Sequence, residues 1–275
     1  MKQIVKRNWS FYLMGAAVII GIKYFCSRAG SDELRWVLTP TAWWVGTLSG
    51  IPFEYEPGVG YINYSIRFII AASCSGVQFM VITIAALIGS FVHRMRTVRK
   101  GYCWVGLSLG FSYLFTIFVN GFRIILSIYL PSLLREQTAA GGWLNPRRLH
   151  TLIGIAIYFT SLFAAYQAAE YVSRRMGGDG MGRDGVGRDG VGRDTMGRDT
   201  MGRASETAFS RRLGRRCIPP LFWYFSIVLG LPFLNSAYKN NSRQFAEYTL
   251  LLAAVCSTII FIFCLVSALN RYIRK

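Results

Sequence analysis

Long apolar runs, separated by short basic segments, set the pattern of this chain. Crossing a hydrocarbon core about 30 Å thick takes about 20 mostly apolar residues in a helix. Residues 9–25 meet that need behind Lys2, Lys6 and Arg7. They lack the short apolar region and small-residue cut site of a signal peptide, so an uncleaved anchor helix is predicted. Residues 68–92, 102–130, 149–171, 220–238 and 248–269 predict five more spans. Residues 36–53 are equally apolar and aromatic, but Pro40, Gly46, Gly50 and Pro52 interrupt them. The expectation is an all-α fold: a polytopic transmembrane helical bundle with about six spans plus an interfacial or re-entrant segment.

One segment breaks the apolar pattern. Between residues 177 and 203 the unit Gly-Arg-Asp-Gly/Thr-Val/Met recurs every five residues, marked by Gly182, Gly187, Gly192, Gly197 and Gly202. A period of five fits neither a helix face nor a strand, and the segment has almost nothing to bury, so a disordered linker is expected. Three units follow: a membrane-embedded core over residues 1–172, the cytoplasmic repeat linker over 173–216, and a C-terminal two-helix transmembrane unit over 217–275.

Charge then changes the picture from spans to sidedness. The 275 residues are 53% hydrophobic and 16% charged, with 31 Lys and Arg against 13 Asp and Glu, a net charge of +18. A soluble domain carries roughly a quarter charged residues. The balance resembles that of a nucleic-acid binder, but the basic residues punctuate apolar runs instead of coating a soluble face, so no nucleic-acid partner is expected. The 15% aromatic content excludes a wholly disordered chain, and six scattered cysteines exclude a disulfide scaffold. Most of the basic residues lie in the N-terminus, residues 93–100, residues 173–217 and the C-terminus. By the positive-inside rule all four face the cytoplasm. For residues 68–92 then to run inward, residues 36–53 must not cross fully. Cys74, Arg123 and His150 all fall at the outer membrane boundary.

Those three residues carry the candidate chemistry. Cys103, Cys256 and Cys264 lie in apolar helix interiors, where a thiol serves as a small hydrophobe. Cys74 lies instead among small residues, Ala71-Ala72-Ser73-Cys74-Ser75-Gly76, at the outer start of a helix. A helix N-terminus stabilises a thiolate, and small neighbours leave the sulfur open. Of two histidines, His93 reads as a solvated loop residue. His150 shares the outer side with Cys74 and is the histidine able to take the thiol proton or protonate a leaving amine. Arg123 is costly inside an apolar helix unless it faces a polar cavity, and Asn120 shares its helical face. It suits a cation that lowers the thiol pKa or stabilises an oxyanion. Cys74, Arg123 and His150 are thus the candidate catalytic residues, with Asn120, Ser75 and Gly76 supporting. No metal site and no cofactor are expected: no ligand spacing, phosphate loop or dinucleotide fingerprint occurs. Gly46-Thr47-Leu48-Ser49-Gly50 has the wrong spacing for a serine nucleophile turn.

In order, Cys74-Ser75-Gly76, Asn120-Gly121-Phe122-Arg123-Ile124 and His150-Thr151-Leu152-Ile153-Gly154-Ile155 resemble the exosortase/archaeosortase family of integral-membrane sorting enzymes over residues 60–172. The short length and N-terminal layout look closest to the exosortase K branch. The resemblance implies a cysteine protease–transpeptidase of a bacterial inner membrane, with Cys74 as nucleophile, Arg123 as the family's conserved-type arginine and His150 as general acid/base. It implies as partner the C-terminal sorting tail of an exported protein: a Pro-Glu-Pro-like motif, one transmembrane helix and a basic end. Membrane lipid surrounds such an enzyme, and a surface polysaccharide or lipid is the acceptor. The repeat and the two C-terminal helices have no part in the pattern. Two other readings stay open from the residues alone: a non-enzymatic transporter or surface-assembly factor with Arg123 as a counter-ion site, and an inactive relative that only binds tails.

Overall fold

The computed structural model describes residues 2–95, 97–134, 145–177, 217–230 and 242–273. Seven helices occur among them: α1 (Lys2–Cys26), α2 (Arg35–Ser49), α3 (Val77–Phe91), α4 (Val98–Leu133), α5 (Pro146–Gly177), α6 (Cys217–Val228) and α7 (Ser242–Ile273). Windows of α1, α4, α5 and α7, and of α3 together with the 3-10 turns at its two ends (Ala72–Arg94), are long and apolar enough to cross a membrane. The chain is a multi-pass membrane protein with an all-α transmembrane bundle. Of the span expected over residues 220–238, helix α6 covers the first part. The rest lies outside the described residues, as does the Gly-Arg-Asp repeat.

Helix α3 is apolar all round, as a helix enclosed by others must be. Nearly all its side chains are buried, from Val77 and Phe79 to Ile88 and Phe91. It packs against α1, α4 and α5. Glycines let large rings close the gaps: a Cβ on Gly101 would overlap the Phe11 ring, one on Gly121 the Trp44 indole, and one on Gly89 the Trp223 indole. Two apolar clusters result. One joins α1, α2 and the sheet described below to α3 and α4. The other joins α3, α4 and α5 to α6 and α7 through Phe79, Phe159, Leu162, Tyr224 and Leu252.

The interrupted stretch after α1 folds differently from a re-entrant loop. Helix α2 spans 15 residues, about 22 Å at ~1.5 Å per residue, which is shorter than the hydrocarbon core. It stands alongside the second half of α4 and runs the same way. Tyr113 donates to the Trp36 carbonyl at 2.7 Å, the Trp44 and Phe118 rings lie 5.4 Å apart, and Tyr129 donates to the Ser49 carbonyl at 3.2 Å. Left-handed Gly50 (φ 69°) ends it, its N–H bonding the Gly46 carbonyl.

A three-stranded antiparallel meander follows, absent from the all-helical expectation. Strands β1 (Glu54–Glu56), β2 (Gly60–Asn63) and β3 (Phe68–Ile70) pair in the order β1-β2-β3, with Tyr55 opposite Tyr61 and Ile62 opposite Ile69. Phe68–Ile70 therefore belongs to an edge strand, and the first helix past it begins at Val77, not at 68. A turn at Pro57-Gly58 reverses the chain, with Gly58 at φ 76° and the Val59 N–H bonding Glu56 O at 3.2 Å.

Asp32 clamps this turn to the α1–α2 connection. Its carboxylate accepts from the Tyr55 hydroxyl at 2.6 Å and the Gly58 N–H at 2.8 Å. The Tyr55 bond, then Gly58, then the nearby Arg35 charge hold this carboxyl below its usual range. The clamp is complete above the ordinary aspartate pKa, roughly 3.9, and is lost as pH falls through the lowered value. Asp32→Asn is expected to speed amide exchange over residues 54–63 at pH 7 while leaving the long helices unchanged. Hydrogen-exchange mass spectrometry in detergent checks this, and equal exchange would dismiss the clamp.

Candidate active site

The local folding of Cys74-Ser75-Gly76 sets one side of the site. After β3, a 3-10 turn over Ala72–Cys74 leads into α3. Gly76 opens the helix at φ 70°, a conformation in which a Cβ is strained. A Cβ there would also press against Asn120 and Thr116 of α4, at 3.0 and 3.1 Å. The glycine therefore lets the turn approach α4 closely. Asn120, fully buried, uses that closeness: its Nδ2 donates to the Cys74 carbonyl at 2.6 Å.

From Asn120 the contacts continue across two helices. Its Oδ1 accepts from the Tyr158 hydroxyl of α5 at 2.8 Å and from Arg123 Nη1 at 3.4 Å. Arg123 Nη1 also reaches Tyr158 Oη at 3.3 Å, and Nη2 lies 2.8 Å from His150 Nε2. A guanidinium has no acceptor, so His150 Nε2 accepts, and the imidazole is neutral with its proton on Nδ1. The Arg123 Nε–H is buried and has no partner among the described residues. It lies against Gly154, where a Cβ would stand 3.3 Å away.

His150 owes its place to the start of α5. Asn145 caps the helix, accepting from the Arg148 N–H at 2.8 Å, and Pro146 opens the first turn. His150, Gly154 and Tyr158 then follow at four-residue steps on the face turned to α4. The site stands at the end of the bundle that carries the sheet.

These groups open on a cavity of about 390 Å³, lined by Ser73, Ser75, Gly76, Arg123, His150 and Tyr158 and by apolar Val77, Phe79 and Ile155. Among the described residues, no Asp or Glu lines it. Cys74 itself is half-buried and packs on the first apolar cluster. Its thiol lies 4.0 Å from Ser73 Oγ, and it meets the network through its main chain. Arg123 thus touches both His150 and Asn120, Ser75 and Gly76 line the cavity, and Cys74 does not line it although Ser73 and Ser75 on either side do. Cys26, also near this end, is not disulfide-bonded to it. Among the described residues no group of three His, Cys, Asp or Glu side chains is placed to hold a metal ion.

A family model described as a transmembrane exosortase matches residues 2–166. The chain belongs to the transmembrane exosortase family. Exosortases are membrane cysteine peptidases or transpeptidases, and the matched region contains every residue of the α3–α5 network just described. No curated protein and no solved structure matches the chain.

The structure adds residues to this exosortase site that the sequence reading did not single out. Tyr158 looks like one more aromatic of an apolar helix, and its signal is the four-residue spacing from His150 and Gly154. Tyr224, Val228 and Tyr248 also line the cavity, from α6 and α7, beyond the matched region. Nothing in their local sequence points to residues so distant in the chain.

Proposed function

We propose that this exosortase cuts C-terminal sorting tails at the outer face of a bacterial inner membrane through a thioester on Cys74. The tail is a Pro-Glu-Pro-like motif, a transmembrane helix and a basic end. The observation that carries this reading is the unbroken set of contacts from the Cys74 carbonyl through buried Asn120 to Arg123 and His150, which line the cavity. The positive-inside rule puts both termini and the basic segment between α3 and α4 in the cytoplasm. Arg123 lies about 37 Å along α4 from Val98 at ~1.5 Å per residue, far enough to have crossed a hydrocarbon core of about 30 Å from that side. The site then opens outward.

In the first step His150 takes the Cys74 proton and the thiolate attacks the scissile carbonyl carbon. The C–S bond forms as the C=O pair moves to oxygen, and Arg123 holds the oxyanion. His150 returns the proton to the amine as the C–N bond breaks, leaving an acyl thioester. Water or an acceptor nucleophile, from a surface polysaccharide or lipid, then attacks the thioester and regenerates the thiol. Cys74 does not itself line the cavity, so its sulfur must move towards the space that Ser73 and Ser75 line for the attack to occur. His150 must give up its bond to Arg123 to act as base, so the guanidinium moves from imidazole to oxyanion as the reaction starts.

The test is capture of the thioester. With His150→Gln both half-reactions slow, but a thiol is partly ionised without a base while water or a hydroxyl is not, so deacylation slows more and the fusion's N-terminal part, its tail released, is expected to accumulate on Cys74. The adduct should be released by neutral hydroxylamine and be missing from the Cys74→Ala/His150→Gln double variant. An adduct that resists hydroxylamine, or forms equally in the double variant, would overturn the covalent route.

A further inference from the structure

We infer that the C-terminal helices α6 and α7, which lie beyond the family match, form the substrate-selecting wall of the cavity. This rests on the proposed peptidase reading and adds to it a division of labour. The reacting groups come from α3, α4 and α5, while Tyr224, Val228 and Tyr248 decide which side chain beside the reacting carbonyl is accepted.

Three observations carry it. First, the pair is docked on the core and is not a loosely tethered anchor. Leu252 and Cys256 are fully buried in the cluster they share with Phe79 and Phe159. The Tyr224 ring lies 5.4 Å from Phe159, and Phe263 lies 4.6 Å from Phe163. Trp223 fills the gap above Gly89 and donates its indole N–H to Ser90 Oγ at 2.9 Å. Arg148, in the turn that carries His150, pairs with Glu247 at 3.2 Å, next to Tyr248. Removing the pair would open the cavity side.

Second, the Tyr224 and Tyr248 rings face the cavity, and their hydroxyls have no hydrogen-bond partner among the described residues. A buried phenol normally finds a partner. Tyr224 is only 2% exposed and Tyr248 half-buried, and both line the cavity, so a group that enters it meets them. Third, Arg123 faces the same space, and no acidic group among the described residues lines it. Two free O–H donors and a guanidinium favour a side chain with a hydrogen-bond acceptor, an acid or an amide. An aliphatic side chain leaves those donors unpaired, and a cationic one is repelled.

The experiment uses the full chain and a set of tail fusions of the proposed class, alike except that the residue flanking the cut is Glu, Gln, Leu or Lys. Wild type is expected to process Glu and Gln tails faster than Leu and Lys tails. Tyr248→Phe and Tyr224→Phe, at equal inserted amounts, should lower the Glu-to-Leu ratio of kcat/KM by about tenfold, mostly through the Glu and Gln tails. A ratio unchanged within twofold in both variants overturns the inference. A second arm does not need catalysis. In the Cys74→Ala chain, a tail probe with a photo-reactive phenylalanine beside the cut should label α6 or α7 on irradiation, and labelling confined to α1–α5 overturns the inference. If Cys74→Ala cuts tails like wild type, the peptidase reading fails on its own, and the labelling still reports on the wall.

Discussion

Cys74→Ala is expected to abolish tail processing, by at least about 10⁴-fold, while the protein inserts and folds as before. The size follows from the role: a thioester route has no substitute for its nucleophile, and no other cysteine stands at the cavity. Cys103, Cys256 and Cys264 lie along α4 and α7, and none lines the site. The fold should tolerate the change, since what the turn needs from residue 74 is its main-chain carbonyl, which Asn120 binds at 2.6 Å and which alanine keeps. Pulse-labelled conversion of a tail fusion from precursor to product measures the rate, and membrane extraction with protease protection checks insertion. Cys74→Ser is expected to be nearly as slow, because an unactivated hydroxyl is a far poorer nucleophile than a thiolate. Processing within tenfold of wild type by Cys74→Ala would remove the nucleophile assignment, and the thioester with it.

The long helices were legible because a span needs only an unbroken apolar window, and helices α1, α4, α5 and α7 each contain one, as does α3 with the turns at its two ends. The small sheet was not. Its strands are three or four residues long, too short for alternation to show, and Phe68–Ile70 reads as the start of the apolar run that becomes α3. A sign was present in Pro57-Gly58, a turn pair flanked by the alternating Glu54-Tyr55-Glu56. In the site, Arg123 stood out because an arginine in an apolar helix needs a polar cavity, and Asn120 followed from its three-residue spacing. The cavity exists. Tyr158 did not stand out, because tyrosines are ordinary in membrane helices, and only the neighbouring helix gives its hydroxyl two partners. Tyr224 and Tyr248 depend on how α6 and α7 dock after a repeat whose composition holds no packing information. That contact is a property of tertiary structure alone.

Arg123→Ala is expected to lower processing by about 10²–10³-fold, as losing a preorganised oxyanion donor does. Three consequences separate this from a fold defect. The substitution removes bonds to Asn120, Tyr158 and His150 at once, but Asn120 keeps its bonds to the Cys74 carbonyl and to Tyr158, so the turn before α3 stays in place. The loss should therefore fall on kcat more than on KM, because the guanidinium is needed where charge develops on the carbonyl oxygen. Arg123→Lys should recover little. An ammonium keeps the charge but is a point donor on a flexible stem, and it cannot span from Asn120 and Tyr158 to His150 as the planar fork does. It also gives up the Nε–H, which is buried without a partner against Gly154 among the described residues. Steady-state kinetics on a purified tail fusion in detergent, for both variants at equal folded amounts, measures this split. If kcat is unchanged in Arg123→Ala, the residue only supports the α4–α5 packing, and another donor holds the oxyanion.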